Sequence, residues 1–147
     1  MASLLLPLLA CSKRDTPEQR VQALLDNAEQ AVEKKDLATL RGYLSDRYSD
    51  EHDHDRRAIE NVLRVLFLQH ETINLYVRVA EIQLTPSDRV QVVLYVAMTA
   101  RPAANAEELI ALRADLYRFE LTFAGESGQW RVLRARWRRA EPAEIVF

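Results

Sequence analysis

The spacing of apolar residues changes once along the chain, and this change constrains the fold more than any other feature. Before residue 70 the apolar side chains recur every three or four positions, the period of an amphipathic helix. From residue 73 they recur mainly at every second position, the period of a strand with one buried face. Helices followed by strands predict an α+β domain rather than alternating α/β units.

Three helices are predicted before the change in period. The first follows Thr16, because this Thr can cap a helix whose next residues are Pro, Glu and Gln, as in a capping box. A second, shorter helix follows Asp36, and a third spans about residues 56–69 after a cap at Asp53 or Asp55. Between them, Tyr48 begins either a short strand or a turn. Each helix has an apolar stripe, which we expect to be buried against one face of a sheet.

Four long antiparallel strands, or more, are predicted to form that sheet. They span about residues 73–84, 90–98, 113–124 and 129–139. The apolar parity shifts near Ala80, which indicates a bulge in the first strand. The sequence Gly-Glu-Ser-Gly before the last strand is typical of a hairpin turn, and residues 101–108 are expected to form a loop.

Length and composition favour one globular domain without a cofactor. The chain has 147 residues and a single cysteine, which excludes an intramolecular disulfide and every metal site with several cysteines. Its net charge of −2 argues against binding to nucleic acid. No apolar run approaches the roughly 20 residues that a membrane-spanning helix requires.

The N-terminal segment resembles the end of a lipoprotein signal peptide. An apolar run ends at Ala10, and Cys11 and a charged stretch follow directly. Leu-Leu-Ala-Cys resembles the lipobox of bacterial lipoproteins, in which the thiol receives a diacylglycerol and cleavage makes the cysteine the new N-terminus. The resemblance predicts lipidation of Cys11. The alternative is a cytosolic protein in which this thiol is buried and unreactive.

The lipobox also implies a location and a division of the chain. Ser12 resembles the residue that follows the cysteine in lipoproteins sorted to the outer membrane, so we expect an outer-membrane lipoprotein that faces the periplasm. Residues 1–10 would be a signal segment. No basic residue precedes its apolar run, as one does in a complete signal peptide, which indicates that this segment is truncated. Residues 11–16 would be a tether, and residues 17–147 would form one α+β domain.

The order of elements resembles the nuclear-transport-factor-2-like superfamily, also called the cystatin-like α+β cone. The most characteristic piece is the closing strand with Gly128, Trp130 and Val132 after a hairpin turn. This resemblance implies a curved sheet that wraps around the helices and leaves a conical pocket. Aromatic residues that could line the pocket are Tyr48, Phe67, Tyr95, Tyr117 and Phe119.

The superfamily contains isomerases, dehydratases and transport factors, so the resemblance does not fix a function. The isomerase pattern requires a Tyr on the first helix and a protonated acid in the pocket. The first helix has no Tyr, and Asp115 and Glu120 lie among polar neighbours. We therefore expect a non-enzymatic binding or scaffold domain with a pocket for a small apolar molecule. The alternative is a small lyase, isomerase or hydrolase with a His or Asp base.

The three histidines are the remaining candidates for chemistry. His52 and His54 stand in an acidic run and could bind a metal ion, but two histidines without a third ligand are more typical of a solvated loop. His52 and His70 are the candidate general bases. His70 also ends the third helix, where a cation suits the helix dipole.

Arg134, Arg136 and Arg138 alternate along the last strand and should share one face of the sheet. They could form a basic patch for anionic lipid or an acidic envelope protein, or they could pair with carboxylates such as Glu120. Expected partners are therefore a membrane, reached through the lipid anchor, and a small apolar ligand or an envelope protein. A homodimer formed through the sheet face is compatible with all of these.

Overall fold

A computed structural model describes residues 13–145 and shows helices packed on one face of a single sheet, which confirms the predicted α+β class. The elements in chain order are α1 Pro17–Glu33, α2 Leu37–Gly42, β1 Leu44–Asp50, α3 Arg56–Gln69, β2 Asn74–Leu84, β3 Arg89–Thr99, α4 Ala106–Ala111, β4 Asp115–Glu126 and β5 Gln129–Arg139. A short 3-10 helix, Pro142–Glu144, follows. Within the described residues, no helix is both long and apolar enough to cross a membrane. Cys11 lies outside them.

Side-chain caps start the helices where the sequence predicts them. Thr16 and Gln19 form a reciprocal capping box at the start of α1, with N···O distances of 3.2 and 2.9 Å. Asp36 accepts a hydrogen bond from a backbone amide of α2 at 3.1 Å. Of the two candidate caps of α3, the structure selects Asp55, whose carboxylate accepts from the Ala58 amide at 2.8 Å.

The sheet has five strands in the order β1-β5-β4-β3-β2, one more than the four that the sequence pattern shows. The additional strand is β1, which pairs with β5 in parallel at the edge of the sheet. Only Leu44 and Tyr48 of β1 contribute to an apolar cluster, because most of its other side chains are polar. An alternating apolar pattern therefore does not develop, and sequence periodicity misses the strand.

Two local details of the sheet agree with the sequence, and one loop does not. The register of β2 against β3 shifts between Val79 and Glu81, which confirms the predicted bulge. Ser127 and Gly128 both have positive φ, as a two-residue type I′ hairpin turn requires. The expected loop at residues 101–108 contains the start of α4, which is capped by Asn105 and has only six residues, too few for a helical period to stand out.

Three apolar clusters hold the helices against the sheet. In the largest, Val21 and Leu25 of α1 pack on one face of the central strands, at Val90, Val92, Leu94 and Phe123. Phe67 of α3 joins α1 and α2 in the second cluster. The third brings Ile59 of α3 against Tyr48 and Trp137. This third cluster fixes the start of α3 beside the junction of β1 and β5, where the candidate site lies.

Candidate functional site

The carboxylate of Asp50 is the centre of the candidate site, and its side chain is fully buried. It accepts four hydrogen bonds: from the Tyr48 hydroxyl at 2.8 Å, from the backbone amides of His52 and His54 at 2.9 and 3.1 Å, and from Nδ1 of His54 at 3.0 Å. Asp50 ends β1, so the loop after this strand folds back over its own last residue. Strand, loop and helix α3 are thereby joined around one negative charge.

This arrangement sets the protonation of its members. Burial raises the pKa of Asp50, but the hydrogen bonds from Tyr48, His54 and His52 outweigh it and hold that pKa below its ordinary value. Burial, together with the hydrogen bond to Asp50 and its charge, raises the pKa of the Tyr48 hydroxyl, which therefore remains a donor. Because Nδ1 of His54 donates to a carboxylate, Nε2 is the acceptor nitrogen whenever the ring is neutral.

A row of five rings extends from this centre, and we call it the ring row: His52, His54, Trp137, Phe119 and Tyr117. Its successive ring centroids lie 4.8 Å (His52 to Trp137), 6.3 Å (His54 to Trp137), 6.2 Å (Trp137 to Phe119) and 6.2 Å (Phe119 to Tyr117) apart. Each ring is at least partly accessible, and the side chain of His52 is half exposed.

The ring row lies on the helix-bearing face of the sheet. Phe119 is the register partner of both Trp137 on β5 and Leu94 on β3, and Leu94 belongs to the cluster beneath α1. Register partners project to the same face of a sheet. The guanidinium carbon of Arg139 lies 5.4 Å from the centre of the Tyr117 ring, and this guanidinium also pairs with the carboxylate of Asp115 at 3.2 Å.

A polar depression of about 280 Å³ includes Trp137 in its lining but lies mainly on the other face of the sheet from the ring row, because Arg118, Glu120, Arg136 and Arg138 alternate with Phe119 and Trp137 along β4 and β5. Its other lining residues are Glu51, Arg118, Glu120, Arg136 and Arg138. Glu51 accepts a hydrogen bond from the Trp137 amide at 3.2 Å, so this carboxylate satisfies the edge of β5 beyond the end of β1. Three arginines and two glutamates in one depression leave only a small excess of positive charge.

The predicted basic patch is largely compensated. Arg136 lies 3.5 Å from a carboxylate oxygen of Glu51 and 3.8 Å from one of Glu120, and Arg138 lies 2.6 Å from Glu144. Arg134 donates to the hydroxyl of Ser49. Exposed ion pairs of this kind are worth at most about 1 kcal/mol, but they do reduce the charge that the face presents to a partner. Contact with anionic lipid, an acidic protein or a second copy stays a prediction.

The aromatic residues predicted to line one pocket are distributed over three places. Tyr117 and Phe119 belong to the ring row, and the buried Tyr48 lies beneath it as a donor to Asp50. Phe67 is buried in the second cluster, among α1, α2 and the start of β2. Tyr95 is on the opposite face of the sheet, under the guanidinium of Arg78 at 5.2 Å, so it cannot share a cavity with Phe119.

His70 lies apart from the other two histidines. It caps the C-terminal end of α3, and its Nδ1 is 2.9 Å from the carbonyl oxygen of Leu66. Fourteen helical residues separate it from the ring row, about 20 Å along the helix axis. His70 and His52 therefore cannot act in one site.

The metal candidate at His52 and His54 stays a prediction. The rings of the two residues are 5.9 Å apart, and Nδ1 of His54 donates to Asp50. Among residues 13–145, no group of three or more His, Cys, Asp or Glu side chains is arranged to hold a metal ion. Sequence reasoning overlooked Asp50 itself. A signal was present, since Asp50 follows the inward-facing Tyr48 by two residues on one strand.

Comparison with known proteins agrees with this fold. No family model and no curated protein matches the chain. Among solved structures, it resembles an uncharacterised cystatin-like protein from Caulobacter vibrioides, with 13% identity, a TM-score of 0.66, and coverage of 84% of this chain and 89% of that one. A protein from Novosphingobium aromaticivorans with the provisional name scytalone dehydratase has 11% identity, a TM-score of 0.67 and 83% coverage of both chains.

A third similar structure is Bd1075 of Bdellovibrio bacteriovorus, with 11% identity and a TM-score of 0.64. The match covers 84% of this chain but only 40% of Bd1075, so the chain spans less than half of that protein. At these identities the likeness concerns the fold alone. The chain has the nuclear-transport-factor-2-like, or cystatin-like, α+β fold that the order of its elements indicates.

The buried carboxylate leads to a prediction about stability. We expect Asp50→Asn to lower the free energy of unfolding at pH 7 by about 1.5–3 kcal/mol, because hydrogen bonds to a buried charge are lost or weakened. The folded-state pKa of Asp50 lies below its ordinary value, so its stabilisation is present above about pH 4 and is lost as the pH falls through the folded-state pKa. Urea unfolding at pH 7 and at pH 3 measures both effects.

The matched control is Asp88→Asn, because Asp88 lies exposed in the turn after β2 and Asn tolerates its positive φ. This variant should unfold with the wild-type free energy at pH 7. If Asp50→Asn were equally neutral and its stability fell with acid as steeply as that of the wild type, Asp50 would not be the charge that holds the loop.

Proposed function

We propose that this protein is a lipid-anchored domain of the bacterial envelope that binds a small apolar molecule on the ring row. The observation that supports the proposal is the ring row itself, a set of accessible rings with one acceptor nitrogen fixed by Asp50. A planar ligand would stack on Trp137 and Phe119 and donate a hydrogen bond to Nε2 of His54. Aromatic walls with a few placed polar groups are typical of small-molecule sites.

The ring row needs little ordering before it binds. Phe119 and Trp137 are register partners on two long paired strands, which fix their backbones relative to each other. His54 is held through both its backbone amide and its ring. Because few side chains would lose freedom on binding, more of the contact energy would remain as affinity.

A lipid anchor at Cys11 would leave the ring row free. The first turn of α1 lies beside the β4–β5 hairpin, where Arg20 donates to the carbonyl oxygen of Gly128 at 2.6 Å. Trp137 is eight residues beyond Gln129, the first residue of β5, and so about 25 Å from the hairpin along the strand. The tether would therefore join the domain at the end of the sheet remote from the ligand.

Binding can be tested with 2-naphthol, a planar apolar molecule with one hydroxyl donor, and with naphthalene, which lacks the donor. In a Trp130→Phe background Trp137 is the only tryptophan, so its fluorescence reports on the ring row. We expect saturable quenching by both probes. His54→Phe should weaken 2-naphthol binding about tenfold through loss of one hydrogen bond and leave naphthalene binding nearly unchanged.

Tyr95→Phe is the control for these titrations, because Tyr95 is aromatic but lies on the other face of the sheet. It should not alter the binding of either probe. Absence of saturable quenching, or equal weakening of both probes by His54→Phe, would contradict the proposed role of the ring row.

The anchor itself is tested by mass spectrometry of the protein expressed from its native N-terminal coding region in a Gram-negative host. We expect protein extracted from the membrane fraction to begin at Cys11 and to carry the added mass of a diacylglycerol. In the Cys11→Ser variant, we expect no lipidated protein in the membrane fraction. An unmodified thiol together with an intact Met1 would overturn lipidation without affecting the proposal for the ring row.

Proton transfer is a second candidate function, and the hydrogen bond between Asp50 and His54 specifically favours it. A carboxylate that orients an imidazole through Nδ1 leaves Nε2 able to accept a proton from a bound substrate. One of the similar structures carries the provisional name scytalone dehydratase. The sequence suggests His52 and His70 as candidate bases, whereas the hydrogen bond to Asp50 favours His54.

This second candidate is tested with 2-tetralone, a flat apolar ketone with acidic C–H bonds next to its carbonyl. Exchange of these protons for deuterium in heavy water, followed by NMR, detects abstraction without knowledge of the natural reaction. We expect exchange faster than in buffer, lost in His54→Gln and retained in the control His70→Gln. Exchange at the buffer rate would leave binding as the function.

A further inference from the structure

Helix α3 has an apolar surface wider than the core covers. At 100° per residue, its apolar positions are spread over about 260° of the helix circumference, an arc that also contains the exposed Asn61 and Gln69, whereas a surface helix needs an apolar stripe of roughly 100°. The inward part of this surface belongs to the second and third clusters, at Ile59, Leu63, Leu66 and Phe67. The outward part is Val62, Val65 and Leu68, whose exposed fractions are 42%, 51% and 82%. We call these three residues the α3 stripe.

Positive charge borders the α3 stripe. Arg57 and Arg64 are exposed and lie about 20–40° from Leu68 around the helix. Neither forms an ion pair with a residue in the range 13–145. The only acidic residue of α3, Glu60, is 13% exposed and is neutralised by Arg41 at 3.0 Å and Arg56 at 3.6 Å. The outward surface of α3 therefore combines aliphatic side chains with two cations that form no ion pair within the described part of the chain, of which Arg64 donates to Oδ1 of Asn61.

We propose that the α3 stripe docks on the surface of an anionic phospholipid bilayer, with its aliphatic side chains at the boundary of the acyl chains and with Arg57 and Arg64 at the headgroups. An apolar helix face with a basic border is the pattern of helices that lie in a membrane interface. The aliphatic side chains of the α3 stripe, bordered by two arginines, are complementary to the acyl chains and the negative headgroups of such a bilayer.

The position of the α3 stripe is compatible with the proposed anchor, on which this inference partly rests. Helices α1 and α3 lie on the same face of the sheet and share the second cluster through Ala31 and Phe67. A tether that enters α1 would therefore reach the membrane from the same layer that presents the α3 stripe. Docking through α3 would orient a domain that the acyl chains hold nearby.

Cosedimentation of the full-length Cys11→Ser chain with vesicles tests the inference separately from lipidation. The vesicles contain phosphatidylglycerol and phosphatidylethanolamine at 1:3, with pure phosphatidylcholine vesicles for comparison. We expect stronger binding to the anionic vesicles. Val65→Ser with Leu68→Ser should lower the partition coefficient at least tenfold, and Arg57→Gln with Arg64→Gln should lower it about tenfold on anionic vesicles only.

Matched controls carry the same changes on exposed residues elsewhere. Ile110→Ser with Leu112→Ser removes apolar surface at α4, and Arg101→Gln with Arg113→Gln removes two exposed cations near it. Both controls should bind as the parent does, and circular dichroism should show equal folding of all variants. Because the N-terminal segment is identical in every protein, its own affinity for lipid cancels from the comparison.

Two results would overturn the inference. One is equal binding of the α3-stripe variant and the parent, or no binding by either. The other is a parent that is dimeric in sedimentation velocity and becomes monomeric on Val65→Ser with Leu68→Ser, without vesicle binding. In that case a second copy of the chain, rather than a bilayer, covers the α3 stripe.

Discussion

The buried carboxylate of Asp50 is the interaction on which the candidate site depends. A buried anion costs several kcal/mol unless donors surround it, and here four donors come from the strand and the loop that contain it. Two of these donors are backbone amides, so the loop must turn tightly, and Asp53 adopts a positive φ within that turn. Asp55 follows at once as the cap of α3. One charge therefore fixes the loop, the ring of His54 and the start of a helix.

Much of the fold follows from local sequence rules, and the exceptions have physical reasons. The start of α1 was predictable from Thr16, because a capping box is complete within four residues. The bulge was predictable because the alternation of apolar residues changes phase near Ala80. The apolar pattern does not reveal strand β1, because a polar edge strand is specified by its pairing with β5, a partner more than 80 residues away in the sequence. The apolar pattern does not reveal helix α4 either, because its six residues make too few turns for a helical repeat of apolar residues to be recognised.

Less of the candidate site than of the fold could be predicted from the sequence. Parity placed Tyr117 and Phe119 on one face correctly, since strands alternate. It could not decide which face of β3 Tyr95 shares with the pocket, because both faces of this strand carry apolar side chains. The bond between Asp50 and His54 depends on a turn that forms only once Asp50 is buried. An acidic run with two histidines reads as a solvated loop until the strand before it is known.

The roles proposed for the ring row and the α3 stripe are separate, and the energies involved explain why both can matter. Two or more acyl chains would already hold the domain at the membrane, so three aliphatic side chains and two arginines would add little to total attachment. A tethered domain is, however, held at a high effective concentration near the bilayer, and weak contacts then suffice to set its orientation. The α3 stripe would supply such weak contacts and would set the orientation of the domain on the bilayer. It would turn the helix-bearing face, and with it the ring row, toward the lipid from which an apolar ligand could arrive.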